Sequence, residues 1–181
     1  MIDSHIIKQK PNNDECYTPR YGVEPLLEFM EPYRNKIIWT PFDTENSEFV
    51  KVFTESGFQV THSHIMTGQD FFTYEPENWD VMISNPPFTN KSNIFRRALS
   101  FNKPFALLMK ITWLNDGTPA NVFKDKELQI LSFNERMTFK NQPQGKISFL
   151  SAYFCYNFLP KNFLFRTFRN RGQQNLFEED K

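Results

Sequence analysis

The chain has 181 residues, a length that suits one domain. Its 21 lysines and arginines equal its 21 aspartates and glutamates, so the formal net charge is zero. Wholesale electrostatic binding to nucleic acid is therefore excluded, although a local basic patch is not. With 39% hydrophobic residues the chain can build a core, which excludes disorder as its main state.

The sequence does not indicate a membrane protein or a metal-binding protein. No stretch approaches the roughly 20 apolar residues that span a bilayer, and the N-terminus lacks a signal-peptide pattern, so we expect a cytoplasmic protein. Cys16 and Cys155 lie far apart and follow no ligand or redox spacing, which predicts two reduced thiols. His62 and His64 have no third or fourth ligand nearby, so we predict no metal site.

Hydrophobic spacing predicts the elements of the first two thirds of the chain. Val23, Leu26 and Met30 fall at helical spacing, for example, and the apolar run before Pro41 is typical of a buried strand. The predicted elements are, in chain order, a helix over 21–33, a strand over 36–40, a helix over 43–57, strands over 58–65 and 79–84, a helix over 91–101 and a strand over 103–111.

This alternation predicts βαβ units, and therefore an α/β fold with a mostly parallel sheet and helices on both faces. After residue 125 the segments 127–133, 135–140 and 147–159 predict an antiparallel, β-rich C-terminal edge that includes a hairpin at one edge of the sheet. We accordingly divide the chain into a flexible N-terminus (1–13), a domain (14–160) and a tail (161–181) that is first basic and then acidic.

The sharpest chemical signal is Asn85-Pro86-Pro87-Phe88, directly after a predicted strand. Ligands of open α/β sheets bind beyond the carboxyl ends of the strands. Two prolines stiffen the backbone and remove two donors, so the Asn85 amide oxygen and the Pro86 carbonyl can both accept from one amino group. Phe88 can stack on a planar base. The alternative is a rigid turn in which Asn85 caps the next helix.

This motif resembles the Asn-Pro-Pro-aromatic motif of the S-adenosylmethionine-dependent amino methyltransferases, above all the small, single-domain N6-adenine DNA methyltransferases found in phages. The resemblance covers roughly residues 14–160. It implies a Rossmann-like methyltransferase fold, S-adenosyl-L-methionine as cofactor, DNA as substrate and transfer of a methyl group to the N6 amino group of adenine. The catalytic residues that it implies are Asn85, Pro86, Pro87 and Phe88.

Three segments are similar to the cofactor-binding segments of the same family. A Thr-Pro pair precedes the first strand, a Pro-Phe-Asp sequence follows it, and an acidic residue with a neighbouring phenylalanine comes before the Asn-Pro-Pro-Phe motif. The cofactor-binding residues implied by this resemblance are Tyr17, Thr18, Pro19, Pro41, Phe42, Asp43, Asp70 and Phe71.

The chain departs from the family in the loop after the first strand. Thr40 stands where the family has an aspartate, and Thr44 and Asn46 stand where it has glycines. Glycine permits a close approach of backbone to ligand, so we expect a narrowed or reshaped cofactor pocket. An acidic residue for the ribose hydroxyls has no clear counterpart near residues 62–65, and Asp43 and Glu45 are the alternatives for this role.

Candidate substrate-binding residues lie in the motif and in the C-terminal third. Phe88 would hold an extruded base on one side and Phe139 on the other, with core packing as the alternative role for Phe139. Residues 161–171 carry four cations with interleaved phenylalanines, a composition that suits a phosphate backbone and stacked bases. The implied cationic contacts are Arg166, Arg169 and Arg171.

The end of the tail resembles a bacterial sliding-clamp-binding peptide. Gln173, Leu176 and Phe177 match its Gln-x-x-Leu-Phe outline, and such a peptide docks its apolar residues in a pocket. The alternative is a plain solvated tail. The chain has no room for a separate recognition domain, so target specificity is low, or comes from loops such as 113–125, or is supplied by a partner.

Two further functional hypotheses remain open. The first keeps the chemistry but changes the substrate to RNA or to the glutamine amide of a protein. The basic tail favours nucleic acid without separating DNA from RNA. The second is a non-catalytic methyltransferase-like phage protein that binds and inhibits a host nucleic-acid enzyme. The altered loop over 40–46 supports this second hypothesis, and the intact motif over 85–88 opposes it.

Overall fold

The structure is a computed structural model that describes residues 17–139 and 147–168. Its elements are, in chain order, α1 (Arg20–Val23), β1 (Ile37–Thr40), α2 (Glu48–Glu55), β2 (Gln59–His62), β3 (Val81–Ser84), α3 (Lys91–Ser100), β4 (Phe105–Lys110), α4 (Thr118–Val122), β5 (Gln129–Phe133), β6 (Met137–Phe139), β7 (Ile147–Phe149), β8 (Ser151–Tyr156) and β9 (Phe163–Arg166). Short 3-10 helices occupy Glu24–Phe29, Glu31–Tyr33, Ile65–Thr67 and Ile111–Asn115.

Seven strands form one sheet in the order β2-β1-β3-β4-β8-β5-β9. Strands β1 to β4 are mutually parallel, and β8 runs antiparallel to both β4 and β5. Strand β5 is parallel to β9, so six strands point the same way and β8 alone is reversed within this sheet. We call the edge where the six parallel strands end the carboxyl edge, and the opposite edge the amino edge. The predicted mostly parallel sheet with an antiparallel, β-rich C-terminal part is confirmed.

The sheet separates two apolar clusters. Alternate residues of each central strand face opposite sides, so Ile83 lies in the first cluster with α1 and α2, whereas Met82 lies in the second with α3 and α4. In β4, Leu108 and Leu107 divide in the same way. Apolar side chains on both faces explain why these strands are unbroken hydrophobic runs in the sequence. Helices cover both faces, as predicted.

The predicted N-terminal helix over 21–33 is only briefly an α-helix. It begins as α1 and continues as two 3-10 helices, each with a proline in its first turn, Pro25 and Pro32. Because proline lacks the backbone donor that an α-helical hydrogen bond needs, the chain adopts short tighter turns instead. Leu26 and Met30 are nevertheless buried on the predicted apolar face.

The C-terminal strands differ in detail from the sequence prediction. The hairpin β6–β7 forms a two-stranded sheet of its own. Met137 and Phe139 of this hairpin are fully buried in the first cluster, so it packs on the face of the main sheet. Strand β9 lies beyond residue 160, the predicted domain end, yet it pairs with β5 because Leu164 packs against the same cluster.

Two further features concern the helices and thiols of the described ranges. None of the helices there combines the length and the apolar character needed to cross a bilayer. Cys155 is a buried free thiol, and burial raises its pKa well above the ordinary value. Cys16 lies outside the described residues.

Candidate functional site

The loop after β1 and the turn after β3 lie side by side at the carboxyl edge, because β1 and β3 are parallel neighbours. Asp43 in this loop is 7% exposed, and its Oδ2 accepts a hydrogen bond from Ser84 Oγ at 2.5 Å. Ser84 ends β3 and directly precedes Asn85. The first predicted cofactor loop and the predicted catalytic motif are thus joined by a buried hydrogen bond.

Further hydrogen bonds hold Asp43 in place. Its backbone N–H donates to the carbonyl of Ser63, just after β2, at 3.2 Å, and the hydroxyl of Ser47 also donates to its carboxylate. Burial raises the pKa of Asp43 to about 6, and the hydrogen bonds from Ser84 and Ser47 oppose that rise. The carboxyl group therefore changes charge close to neutral pH.

The predicted catalytic turn is tightly placed. Asn85 is half-buried with a buried Oδ1, Pro86 is buried, and Pro87 and Phe88 are half-buried. The residue that caps α3 is Asn90, in a left-handed conformation (φ 58°) that asparagine tolerates. Asn85 is thus not the helix cap that the alternative interpretation required.

The ring of Phe88 packs against the second apolar cluster. Lys110, the last residue of β4, places its ammonium nitrogen 4.8 Å from the centre of this ring. That distance is within the range of a cation–π interaction. A stacking base would therefore use the opposite face of Phe88 or displace the ammonium group.

Two of the predicted cofactor residues, Phe42 and Phe71, are in contact, with ring centres 4.8 Å apart. Phe42 is half-buried, whereas Phe71 is 2% exposed and lies in the second cluster. Asp70 is half-buried, and its Oδ1 accepts from the backbone N–H of Phe72 at 3.0 Å. These contacts stabilise the turn that holds Asp70 and Phe71 beside Phe42.

The predicted N-terminal cofactor segment is exposed at its start and then buried. Tyr17 is 47% exposed, and Thr18 and Pro19 are buried. The hydroxyl of Thr18 has no hydrogen-bond partner within the described ranges. Because a buried polar atom without a partner costs free energy, Thr18 Oγ1 is available to a bound ligand.

The loop after β1 does not need glycine for its backbone path. Thr44 and Asn46 replace the glycines of the resembling family, and neither has a positive φ. Pro41 is buried and Thr44 half-buried, so the difference is one of side-chain volume and not of backbone strain. Beyond β2, the side chains of Ile65 and Met66 are 60% and 78% exposed and supply an apolar surface near this loop.

Two more buried polar atoms at the carboxyl edge have no partner in the part of the chain that the structure describes. One is Nε1 of Trp113, in the 3-10 helix after β4, and the other is Oγ of Ser151, at the start of the reversed strand β8. Ser151 pairs in register with Lys110. A polar ligand at this edge would satisfy such atoms.

The remaining predicted substrate residues lie elsewhere. Phe139 is fully buried in the first cluster, whereas Phe88 packs against the second, so the structure does not bring these two rings together. Arg166 forms an ion pair with Glu28, through Nε at 2.6 Å and also through Nη2. The other tail predictions lie outside the described residues; they are Arg169, Arg171, Gln173, Leu176 and Phe177.

No metal site is visible within residues 17–139 and 147–168, where no three His, Cys, Asp or Glu side chains cluster suitably. His64 instead accepts a hydrogen bond through Nδ1 from the backbone of Met66.

A shallow basic groove lies at the amino edge, between the ends of α3 and α4. Its charged lining residues are Arg96, Lys124, Asp125 and Lys126.

Comparison with known proteins gives a fold and no family. No family model matches the sequence, and no curated protein matches it. A modification subunit assigned to a type I restriction enzyme of Vibrio vulnificus YJ016 superimposes with a TM-score of 0.53 at 14% identity. The match covers 90% of this chain and 49% of the other, so this chain spans about half of that subunit.

A second solved structure, a predicted O-methyltransferase from Agrobacterium tumefaciens, superimposes with a TM-score of 0.48 at 13% identity, over 78% of this chain and 83% of the other. Three observations establish the fold of this chain: the mostly parallel sheet, the helical layer on each of its faces, and the superposition on the restriction-enzyme modification subunit. It is a Rossmann-like methyltransferase fold.

Within this methyltransferase fold, two residues beside the motif had been given no role from the sequence. Ser84 and Lys110 are the polar last residues of the otherwise apolar strands β3 and β4. Polar residues at the carboxyl ends of buried parallel strands are a usable signal, because that edge is where ligands bind. The bond from Ser84 to Asp43 could not be read from the sequence, since the two residues are 41 positions apart.

Proposed function

We propose that the protein transfers a methyl group from S-adenosyl-L-methionine to the N6 amino group of adenine in DNA. The observation that carries this proposal is the position of Asn85 and Pro86 at the carboxyl edge of a methyltransferase fold, next to the loop after β1. DNA as the substrate rests on the resemblance of the motif to the adenine-specific enzymes. The structural neighbour named as a restriction-enzyme modification subunit is in keeping with it.

The chain's own groups would hold the cofactor and orient the amine. S-adenosylmethionine, when bound, supplies an electrophilic methyl group to the amine nitrogen, which afterwards loses a proton. We assign cofactor binding to Tyr17–Pro19, Pro41–Asp43 and Asp70–Phe71, and add Ser151 because its buried hydroxyl has no partner in the described ranges. Thr18 Oγ1 offers a second hydroxyl of the same kind.

Asn85 and Pro86 would activate the amine by position. An aromatic amine is a poor nucleophile because its lone pair is delocalised into the ring. If the Asn85 amide oxygen and the Pro86 carbonyl accept its two hydrogens, the nitrogen becomes pyramidal and its lone pair points in one direction. This is orientation combined with electrostatic stabilisation, and it needs no covalent intermediate. Because Asn85 Oδ1 is buried, the side chain has to rotate when the amine binds.

A duplex substrate would first have to release its adenine. Extruding a base from the stack costs a few kcal/mol, and stacking in the site offsets part of this cost. Phe88 provides one ring for the extruded base, and Lys110 beside it provides a cation for the nearby phosphates. The basic tail with Arg169 and Arg171 is proposed as a further contact to the nucleic acid.

The second candidate function is a methyltransferase-like protein that binds a host nucleic-acid enzyme without catalysis. The observation that favours it is the buried Asp43 carboxylate, which already accepts hydrogen bonds from Ser84 and Ser47. A thermal-shift assay discriminates between the two, because a ligand bound only by the folded protein raises its melting temperature. No shift with S-adenosylmethionine would favour the second candidate.

The deciding experiment uses S-adenosylmethionine with a deuterated methyl group. The protein is incubated with unmethylated DNA and, separately, with RNA, and the products are digested to nucleosides and analysed by mass spectrometry. Labelled N6-methyladenine from DNA, absent with Asn85→Ala, supports the proposal. If labelled N6-methyladenine is found only in RNA, the substrate of the proposed reaction is RNA and not DNA. No label from folded protein refutes the nucleic-acid methyltransferase and leaves the protein-glutamine and non-catalytic hypotheses.

We also propose a tether to the replication machinery. Gln173, Leu176 and Phe177 would dock on a sliding clamp, which would bring the protein to newly made DNA. Deleting residues 172–181 should then abolish binding to a purified bacterial clamp and leave methylation of short oligonucleotides unchanged. Absence of clamp binding by the full chain would refute the tether.

A further inference from the structure

The Asp43 carboxyl group occupies an unusual place for an acidic residue. It follows β1 at the carboxyl edge and is almost completely shielded from water. Burial of a carboxylate costs free energy unless hydrogen bonds compensate it. Burial raises its pKa and hydrogen bonds from the hydroxyls of Ser84 and Ser47 lower it, and no Lys, Arg or His of the described ranges contributes to the shift. The charge is thus compensated by neutral donors, and their positions depend on it.

The hydrogen bonds of Asp43 reach three neighbouring elements. Ser84 belongs to β3, Ser47 is the N-cap of α2, and Ser63 follows β2 and accepts from the Asp43 backbone N–H. Ser63 is fixed in turn, because its hydroxyl accepts from Trp39 Nε1 at 3.0 Å. The ends of β1, β2 and β3 are therefore held together through one residue.

The path from Asp43 to the motif is short and stiff. Ser84 is the residue immediately before Asn85, and Pro86 and Pro87 fix the backbone on the other side. Asn85 thus follows a residue that is held by a buried hydrogen bond and precedes two prolines whose φ angles are fixed. Any rearrangement of the Ser84 hydroxyl is transmitted to Asn85, since the turn has little freedom to absorb it.

We propose that Asp43 is a positioning residue, which through Ser84 sets the geometry of Asn85 and couples the loop after β1 to the turn that binds the amine. This inference rests on the proposed function, because it concerns the residue assigned to the amine. Ionised Asp43 accepts from both Ser84 and Ser47. Once protonated, the carboxyl group gains a hydrogen to donate and becomes a weaker acceptor, so its hydrogen bonds with Ser84 and Ser47 change in strength and geometry.

Few other groups can produce the same pH dependence. Tyr153 of β8 is the titratable side chain that interacts electrostatically with Asp43. Its pKa is raised well above the ordinary value, first by burial, so it stays neutral where Asp43 titrates. The partners on α2 and β3, Ser47 and Ser84, do not titrate. Two histidines, His62 and His64, flank Ser63 on the neighbouring segment, so a midpoint near pH 6 at the motif is assigned to Asp43 only where it disappears in Asp43→Asn.

The first test observes the coupling without any catalysis. In protein labelled with 15N-asparagine, the side-chain amide signal of Asn85, assigned by its loss in Asn85→Ala, is followed from pH 4.5 to 8. We expect a titration with a midpoint near pH 6 in the wild type and none in Asp43→Asn. Asp80→Asn is the matched control, because Asp80 also links β1 to β3, through the Ile37 N–H, but at the amino edge. An Asn85 signal that does not titrate in the folded wild type overturns the proposal.

The second test measures methyl transfer in single turnovers. Ser84→Ala should slow transfer at least tenfold and leave the dissociation constant of S-adenosylhomocysteine within about twofold, and Ser84→Thr should restore the rate because it restores the hydroxyl. A normal rate in Ser84→Ala also overturns the proposal. If the wild type transfers no methyl group at all, the proposed function fails, and the amide titration alone decides whether Asp43 positions Asn85.

Discussion

The two edges of the sheet differ in how completely particular buried polar groups are hydrogen-bonded. At the amino edge, Gln129 is buried, and its side chain donates to the Leu159 carbonyl and accepts from the N–H groups of Phe158 and Leu159. At the carboxyl edge, Trp113 Nε1 and Ser151 Oγ are buried without partners in the described part of the chain.

A completed hydrogen-bond network stabilises a fold, whereas an incomplete one is stabilised by what binds to it. From this difference we expect a ligand to bind at the carboxyl edge and the Gln129 network to act on stability alone. Both edges link β1 to β3 through an aspartate. Asp80 at the amino edge is half-exposed and lies 3.7 Å from Lys36, whereas Asp43 is buried and has only neutral donors as hydrogen-bond partners among the described side chains.

The largest expected effect at the carboxyl edge is on the rate of methyl transfer. Asn85→Ala should lower the single-turnover rate by about 100-fold or more, because it removes an acceptor aimed at the developing charge. The affinity for S-adenosylmethionine, measured by calorimetry, should stay nearly unchanged. Asn90→Ala in the same turn is the control and should keep most of the rate. Equal rates in Asn85→Ala and the wild type would remove Asn85 from the mechanism.

The amino edge should respond in stability instead. Gln129→Ala leaves three backbone groups without their side-chain partner and should lower the free energy of unfolding by about 3 kcal/mol. Urea denaturation measures this loss, with Gln59→Ala on the exposed face of β2 as the control. Any folded Gln129→Ala protein should bind S-adenosylmethionine normally. A specific loss of cofactor affinity would show that the two edges are not separate.

Asp43→Asn tests the cost of the buried charge. Because the folded-state pKa is raised from 3.8 to about 6, the stabilising contribution is complete below pH 4 and is lost as the pH rises through 6. The stability of Asp43→Asn relative to the wild type should therefore rise by about 2 kcal/mol between pH 4 and pH 7.5. Urea denaturation across this range measures the difference. A constant difference between the two proteins would mean that Asp43 has an ordinary pKa.

Ser151→Ala should have a smaller effect, and one that depends on ligand. Removing a buried hydroxyl without a partner should leave the ligand-free protein as stable as the wild type or about 1 kcal/mol more stable. The rise in melting temperature caused by S-adenosylmethionine should become smaller, because the variant lacks a group for the ligand. Ser132→Ala, in the neighbouring strand β5, is the control. An unchanged thermal shift would exclude Ser151 from the cofactor site.

Arg166→Gln should have the smallest effect. Its ion pair with Glu28 is solvent-exposed, so its loss should cost about 0.5 kcal/mol in low salt and less in high salt. Since Glu28 already neutralises this cation, we expect little change in DNA affinity measured by fluorescence anisotropy. A large, salt-dependent loss of affinity would show that Arg166 leaves Glu28 to bind phosphate.

The parts of the fold that depend on local pattern were predictable from the sequence. The runs that became β1, β3 and β4 are apolar on both faces, and that property alone predicts central parallel strands. The position of Asn85 followed because a motif directly after such a strand must lie at the carboxyl edge.

What could not be predicted depends on contacts between distant segments. The N-terminal helix is an exception with a local cause, because Pro25 and Pro32 interrupt the helix that the apolar spacing predicts. The burial of Phe71 and Phe139 had no local signal, because an aromatic residue in a loop or a hairpin suits a core as well as a ligand. The Asp43–Ser84 bond required the observed pairing of β1 with β3.

The reversed strand β8 has a consequence for synthesis of the protein. It lies between β4 and β5 in the sheet. Strand β5 therefore cannot be connected to β4 until β8, which ends at Tyr156, has left the ribosome, and β9 pairs with β5 later still. Such late, long-range pairing raises the contact order and slows folding. Until then the nascent chain presents the unpaired backbone of β4 to its surroundings, where another unfinished chain could add a strand. The risk of aggregation is therefore concentrated in the interval between synthesis of Lys110 and synthesis of Tyr156.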